Sequence, residues 1–139
     1  MTGNDKQRPV LAAEQQFHPG KPVTLMGPSH CTPHSAVFED DGDTGYFYGL
    51  DTREREQPIL DALHVYNVRA VTDKDKSSLV QIVWSADGLR VALLINKYPH
   101  AAFDFVKKRG YCRTGFPPGR PGFSVEGHAW SDEVLRFFK

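Results

Sequence analysis

Apolar and polar residues alternate most regularly from Leu79 to Val106, LVQIVWSADGLRVALLINKYPHAAFDFV, a period of two that predicts three consecutive antiparallel strands. The first turn is Asp87-Gly88, a dipeptide that accepts the positive φ angles of a two-residue hairpin loop. With that loop, Trp84 faces Val91, Ile82 faces Leu93 and Val80 faces Ile95, so one face is apolar throughout. A one-residue slip would send the whole set to the other face, which fixes the register. At the second turn a three-residue loop of Lys97, Tyr98 and Pro99 pairs Leu93 with Phe103, whereas a two-residue loop of Lys97 and Tyr98 would set Asp104 against Val91. The longer loop is therefore expected. The opposite face is half polar, with Gln81, Arg90, Asn96, His100 and Asp104, and is where a site could sit.

The same pattern is read elsewhere with less regularity. Ser35 to Asp51 predicts a hairpin with Asp41-Gly42 at its tip, Val37 opposite Tyr46, and Asp40 directly across from Asp43, a like-charge pairing that would be destabilising. Val23 to Met26 is a short edge strand. In PILDALHVYNVRAVT a helical spacing (Ile59, Ala62, Leu63, Tyr66) competes with alternation (Leu60, Ala62, His64, Tyr66, Val68), and the β-branched, aromatic second half favours a strand. Residues 1–20 lack periodicity and end in Pro19-Gly20, which reads as a mobile N-terminal arm before a single globular domain at 21–139. Lys107 to Phe123, rich in glycine and proline, reads as a long ordered loop, and Ala129 to Lys139 as a short helix capped by Ser131. The fold class is α+β: a predominantly antiparallel sheet of about six strands with a short C-terminal helix.

Composition adds bounds rather than a function. The 139 residues suffice for one core, and a formal net charge of zero removes any global attraction to nucleic acid or membrane. The start lacks a signal-peptide core and no apolar run is long enough to span a bilayer, so a cytoplasmic protein is expected. Cys31 and Cys112 are too few for a disulfide framework and read as free thiols.

Several blocks, VFEDDGDTGYFYGLD, PILDALHVYNV, VWSADG, ALLINKYPHAAFDF and RGYCRTGFPP, together resemble a family of small bacterial proteins known only as a domain of unknown function. The resemblance covers roughly residues 35–118. It implies a bacterial, cytoplasmic origin and brings no activity, cofactor or catalytic residues with it.

Candidate chemistry is sparse. The acidic hairpin of Glu39, Asp40, Asp41 and Asp43 fails the calcium-loop pattern, because Val37 and Tyr48 occupy its first and last ligand positions. His30, Cys31 and His34 fall short of a zinc site in number and spacing, so no metal or cofactor is assigned. His100 and Asp104 share a strand face but lie about 13 Å apart in a regular strand, and Asp104 is better placed to pair with Arg90. Ser124 lacks the second glycine of a nucleophile elbow, and Cys112 lacks the arginine spacing of a phosphate-binding loop. Lys107, Lys108, Arg109, Arg113 and Arg120 make the 107–123 loop basic, with Tyr111, Phe116 and Phe123 as stacking surfaces, while residues 39–61 carry eight acidic and two basic side chains. These segments either neutralise each other or form a surface dipole.

The leading expectation is a non-enzymatic protein-binding module, of antitoxin or immunity type, using Asp40, Asp41, Asp43, Lys107, Lys108, Arg109 and Arg113. The first alternative is phosphate or nucleic-acid binding through the basic loop. The second is a small enzyme using a polar face of Arg90, Asp104, His64 and His100. Partner and oligomeric state are not legible in the sequence.

Overall fold

The computed structural model describes residues 8–119 and 121–139. Among these residues nine strands form two antiparallel sheets. The first sheet has the order β1 (Val10–Phe17), β6 (Ser78–Trp84), β7 (Arg90–Ile95), β8 (Tyr98–Asp104) and β9 (Arg109–Cys112). The second runs β2 (Val23–Pro28), β3 (His34–Asp40), β4 (Thr44–Asp51) and β5 (Ile59–Asn67). The chain thus places one strand in the first sheet, winds a four-strand meander as the second, and returns to complete the first. Among the described residues helix is confined to short 3₁₀ segments at Val68–Ala70 and Asp132–Phe138, so the fold is predominantly β, with more strands and less helix than the sequence pattern suggests.

The inner faces meet through aromatic rings. Phe47 of β4 stacks on Phe103 of β8 with centroids 5.3 Å apart, and His34 of β3 stacks at 4.2 Å on Phe105, which also stacks on Trp84 of β6 at 5.7 Å. Such offset pairs add about 0.5–1.5 kcal/mol each beyond the area they bury. The Trp84 indole N–H donates to the Gly27 carbonyl at 2.9 Å, tying β2 to β6 across the sandwich.

The β6–β7 hairpin has the expected register, with Val80, Ile82 and Trp84 opposite Ile95, Leu93 and Val91. The next hairpin differs. Its loop is Asn96-Lys97, both at positive φ (53° and 70°), and Phe103 faces Val91 rather than Leu93. A bulge between Leu93 and Leu94 absorbs the odd residue, so a two-residue turn coexists with an apolar inner face. The β3–β4 register is also two residues from expectation: Val37 faces Tyr48 and Asp40 faces Gly45, so Asp40 and Asp43 do not oppose each other. The turn centres on Gly42-Asp43 with glycine first, at φ 102°, and the Asp41 carboxylate accepts the N–H groups of Asp43 and Thr44.

Two segments read as irregular contain strands. Val10–Phe17, assigned to the arm, pairs along β6; Gln81 donates to Glu14, and Phe17 is its one core side chain. Its polar residues hide it from a hydrophobic pattern, and pairing with an apolar neighbour orders it. Arg109–Cys112 pairs with β8 inside the expected loop, where four residues are too few to show a period.

The Asn96-Lys97 turn gives a direct test. Lysine is unfavourable in the left-handed region and glycine is not, so Lys97→Gly should raise unfolding free energy by up to about 1 kcal/mol in chemical denaturation. An unchanged midpoint would show that the turn geometry differs in solution.

Candidate binding surfaces and a buried ionic pin

The half-polar face of the first sheet is largely covered. The terminal 3₁₀ segment lies across it, with Val134 buried against Ala92, Ala102 and Tyr111. Ser131 caps this segment as expected, its hydroxyl accepting the Glu133 N–H. Two cations clamp it down: the Arg90 guanidinium lies 3.8 Å over Phe137, and Arg113 lies 3.9 Å over Trp130 and 4.8 Å from Tyr98.

This arrangement separates the expected enzyme residues. Arg90 and Asp104 occupy facing positions, with Arg90 Nε 3.2 Å from the carboxylate. Asp104 is buried and also accepts the N–H groups of Val106 and Lys107. His100 sits edge-on to Tyr98, and burial followed by the nearby Arg113 charge lowers its pKa. His64 is on the other sheet, edge-on to Tyr46. Arg90 and Asp104 therefore form a structural pair without the two histidines.

The expected interaction residues also divide. Asp40 is buried and accepts from Gly20 N–H, Gly42 N–H and the Tyr66 hydroxyl at 2.8, 2.8 and 2.6 Å. Asp41 and Asp43 are exposed at the turn, Lys107 and Lys108 are exposed on the β8–β9 loop, and Arg109 is half-buried. Arg113 belongs to the clamp. No ion pair joins the acidic hairpin to the basic segment among the described residues, and Arg120 lies outside them. His30 and Cys31 are spent on the Ala86–Asp87 carbonyls, at 2.9 and 3.4 Å, and His34 stacks on Phe105.

A different cluster carries the buried chemistry. Asp61, Ser124 and His128 are each about 1% exposed. The Asp61 carboxylate accepts from Ala62 N–H at 2.9 Å, from the Ser124 hydroxyl at 2.5 Å and from His128 Nε2 at 2.8 Å. His128 Nδ1 faces the Pro117 carbonyl at 2.5 Å. A carbonyl only accepts, so Nδ1 carries a proton. Nε2 faces the Asp61 carboxyl group, and the raised pKa of His128 favours the form protonated there as well, an imidazolium paired with Asp61. Burial is the largest influence on His128 and lowers its pKa, but the Asp61 and Pro117 hydrogen bonds and the Asp61 charge outweigh it, leaving the value raised above 6.5.

This is not a nucleophile assembly. The carboxylate stands between serine and histidine, and Ser124 Oγ accepts the Gly110 N–H at 2.7 Å while giving its proton to Asp61. The cluster instead joins β5 of one sheet to β9 and the segment behind it. Gly110 permits the approach, since a Cβ there would lie 2.8 Å from Phe103 and 2.9 Å from Asp61. Sequence reading missed the cluster. Its one signal was Asp61 on the same strand parity as Leu63 and Val65, a carboxylate on an apolar face.

Two open surfaces gather aromatic rings or clustered cations. On the outer face of the second sheet Tyr46 stacks on Tyr48 at 5.7 Å and meets His64 at 5.0 Å, beside Glu39, which accepts the Tyr48 hydroxyl at 2.9 Å. A cleft of about 540 Å³ at its β5 border is lined by His64, Tyr66, Asn67, Thr114 and exposed Phe116. The second surface, a basic cleft, lies between the β8–β9 loop and residues 122–126.

A family model described as an uncharacterized protein conserved in bacteria (DUF2251) matches residues 17–139. The chain belongs to this family. An uncharacterized protein of Haemophilus influenzae is 44% identical over 108 residues, covering 77% of this chain and 67% of the relative. No solved structure matches. Among the described residues of this family member, no helix is long and apolar enough to cross a membrane.

The pin gives a pH test with a definite sign. A group whose folded pKa is raised stabilises the fold fully below its unfolded value, near 6.5, and loses that contribution as pH rises through the folded value. Melting temperature should therefore fall on the alkaline side, with the slope absent in His128→Phe. That variant leaves Asp61 buried and unpaired and should cost about 3–5 kcal/mol. A flat profile in the native protein would show that His128 is not charged in the fold.

Proposed function

We propose that the protein is a non-enzymatic binding module that docks a protein partner on the outer face of the second sheet, through an arginine- or lysine-bearing segment. One observation carries this reading. Tyr46 and Tyr48 form a stacked, half-exposed aromatic surface beside Glu39, Asp41 and Asp43, none of which has a cationic partner among the described residues. Aromatic faces attract cations through their quadrupole, and an adjacent carboxylate supplies the countercharge. The surface thus offers a guanidinium or ammonium both interactions at once. Met26, 60% exposed and in register with Val37 and Tyr48, extends the same face with an adaptable apolar side chain.

The chemistry-bearing groups support the same reading from the other side. The Arg90–Asp104 pair lies against the terminal segment and the Asp61–Ser124–His128 cluster is buried, so neither of these two charged clusters stands free at the outer face of the second sheet.

The reading is tested by affinity capture from bacterial lysate followed by titration of the recovered partner. Tyr46→Ala combined with Glu39→Gln should weaken binding at least tenfold, about 1.4 kcal/mol, while Lys107→Glu leaves it unchanged. Full retention by the Tyr46/Glu39 variant would place the partner elsewhere.

A further inference from the structure

We propose that the cleft between the β8–β9 loop and residues 122–126 binds the phosphate group of a small molecule, independently of the partner-binding face. The cleft holds about 500 Å³ and is lined by Lys107, Lys108, Arg109, Gly122, Ser124, Val125 and Glu126. That volume lies in the range of small-molecule sites. Three cations face one carboxylate, and the excess matches a phosphate dianion better than a singly charged carboxylate ligand.

The cations are not consumed by the fold. Lys107 and Lys108 are exposed and have no acidic partner among the described residues. Asp104, the nearest carboxylate along the chain, is occupied by Arg90 and by the N–H groups of Val106 and Lys107. Glu126 reaches Arg109 at 3.4 Å but is 81% exposed, an ion pair that solvent weakens and a bound anion can replace. Arg109 lies 4.9 Å from the Tyr111 ring, which orients it, and its Nε–H is buried with no acceptor. A buried guanidinium donor without an acceptor is what an incoming oxyanion would satisfy.

Backbone strain gathers at the same place. Among the described residues four non-glycine residues have positive φ; Asn96 and Lys97 form a hairpin turn, and the other two, Lys108 and Ser124, line this cleft at 56° and 53°. The Ser124 N–H donates to the Lys108 carbonyl at 2.8 Å, so the two strained residues hold each other. Such conformations persist where the surroundings impose them, and they concentrate at ligand sites. Ser124 is also part of the buried pin, so the wall of the cleft is rigid. Gly122, with open space where a side chain would stand, leaves backbone accessible on the same segment as Ser124.

The test is a titration of the 139-residue chain with inorganic phosphate, followed by amide NMR at constant ionic strength. Expected are saturable shifts confined to Lys107–Arg109 and residues 122–126. They should weaken at least tenfold in Lys107→Ala/Lys108→Ala, whose spectrum elsewhere stays native. Glu126→Gln should tighten binding, because it removes the competing carboxylate, a gain that a merely structural role would not produce. Equal shifts from chloride, shifts centred elsewhere, or unchanged affinity in the lysine variant would overturn the site. A single-stranded oligonucleotide that binds the cleft far more tightly than inorganic phosphate would overturn the small-molecule assignment.

Discussion

The buried ion pair between Asp61 and His128 joins parts of the chain that no hydrogen-bonded ladder connects. Each sheet is held internally by its own strand pairing, and the two sheets meet mainly through apolar contacts that are strong but not directional, with the Trp84–Gly27 hydrogen bond fixing one place between them. The Asp61 carboxylate supplies direction. It collects donors from its own strand, from Ser124 and from His128, while Gly110 of the opposite sheet donates to Ser124. Desolvating two charges is costly, and it is tolerated here because each donor proton named in the cluster has an acceptor. From that fixed point the chain runs a few residues further to Trp130 and the terminal 3₁₀ segment, which Arg90 and Arg113 then hold on the first sheet.

The consequence is a sandwich with two unlike outer faces. One is covered by its own C-terminal segment, and the other keeps tyrosines, a histidine and unpaired carboxylates in contact with solvent. Polarity of a sheet face in sequence therefore says little about accessibility. The half-polar face of β7 and β8 was the natural place to look for a site, and Arg90 and Asp104 do meet there. What they do is stabilise the strand pair and stack on Phe137.

Much of the fold was legible where local chemistry and tertiary pairing agreed. The Asp87-Gly88 hairpin and the β5 strand are of this kind, because alternation, turn residues and the apolar face all specify one answer. The β7–β8 loop was misplaced because a bulge changes the count without changing the face, and no single residue announces a bulge. The β3–β4 turn moved because Asp41 captures two backbone N–H groups, a preference that competes with the Asp-Gly signal. Strand β1 was hidden by Glu14, Gln15 and Gln16, whose polarity suits an edge. The site residues were harder. Ser124 and His128 lie in a segment with no period, and their meaning depends on a carboxylate more than sixty residues away.

The central claim is that His128 is held as an imidazolium by Asp61 inside the folded protein, and nitrogen NMR of the histidine ring tests it most directly. At neutral pH both His128 ring nitrogens should show the shifts of protonated imidazolium, with Nε2 coupled to the Asp61 carboxylate and the signature persisting above the pH at which a free imidazole loses its proton. A neutral, single-tautomer ring at that pH would contradict the account, because the pin would then be an ordinary neutral hydrogen bond rather than the charged link on which the arrangement of the two sheets rests.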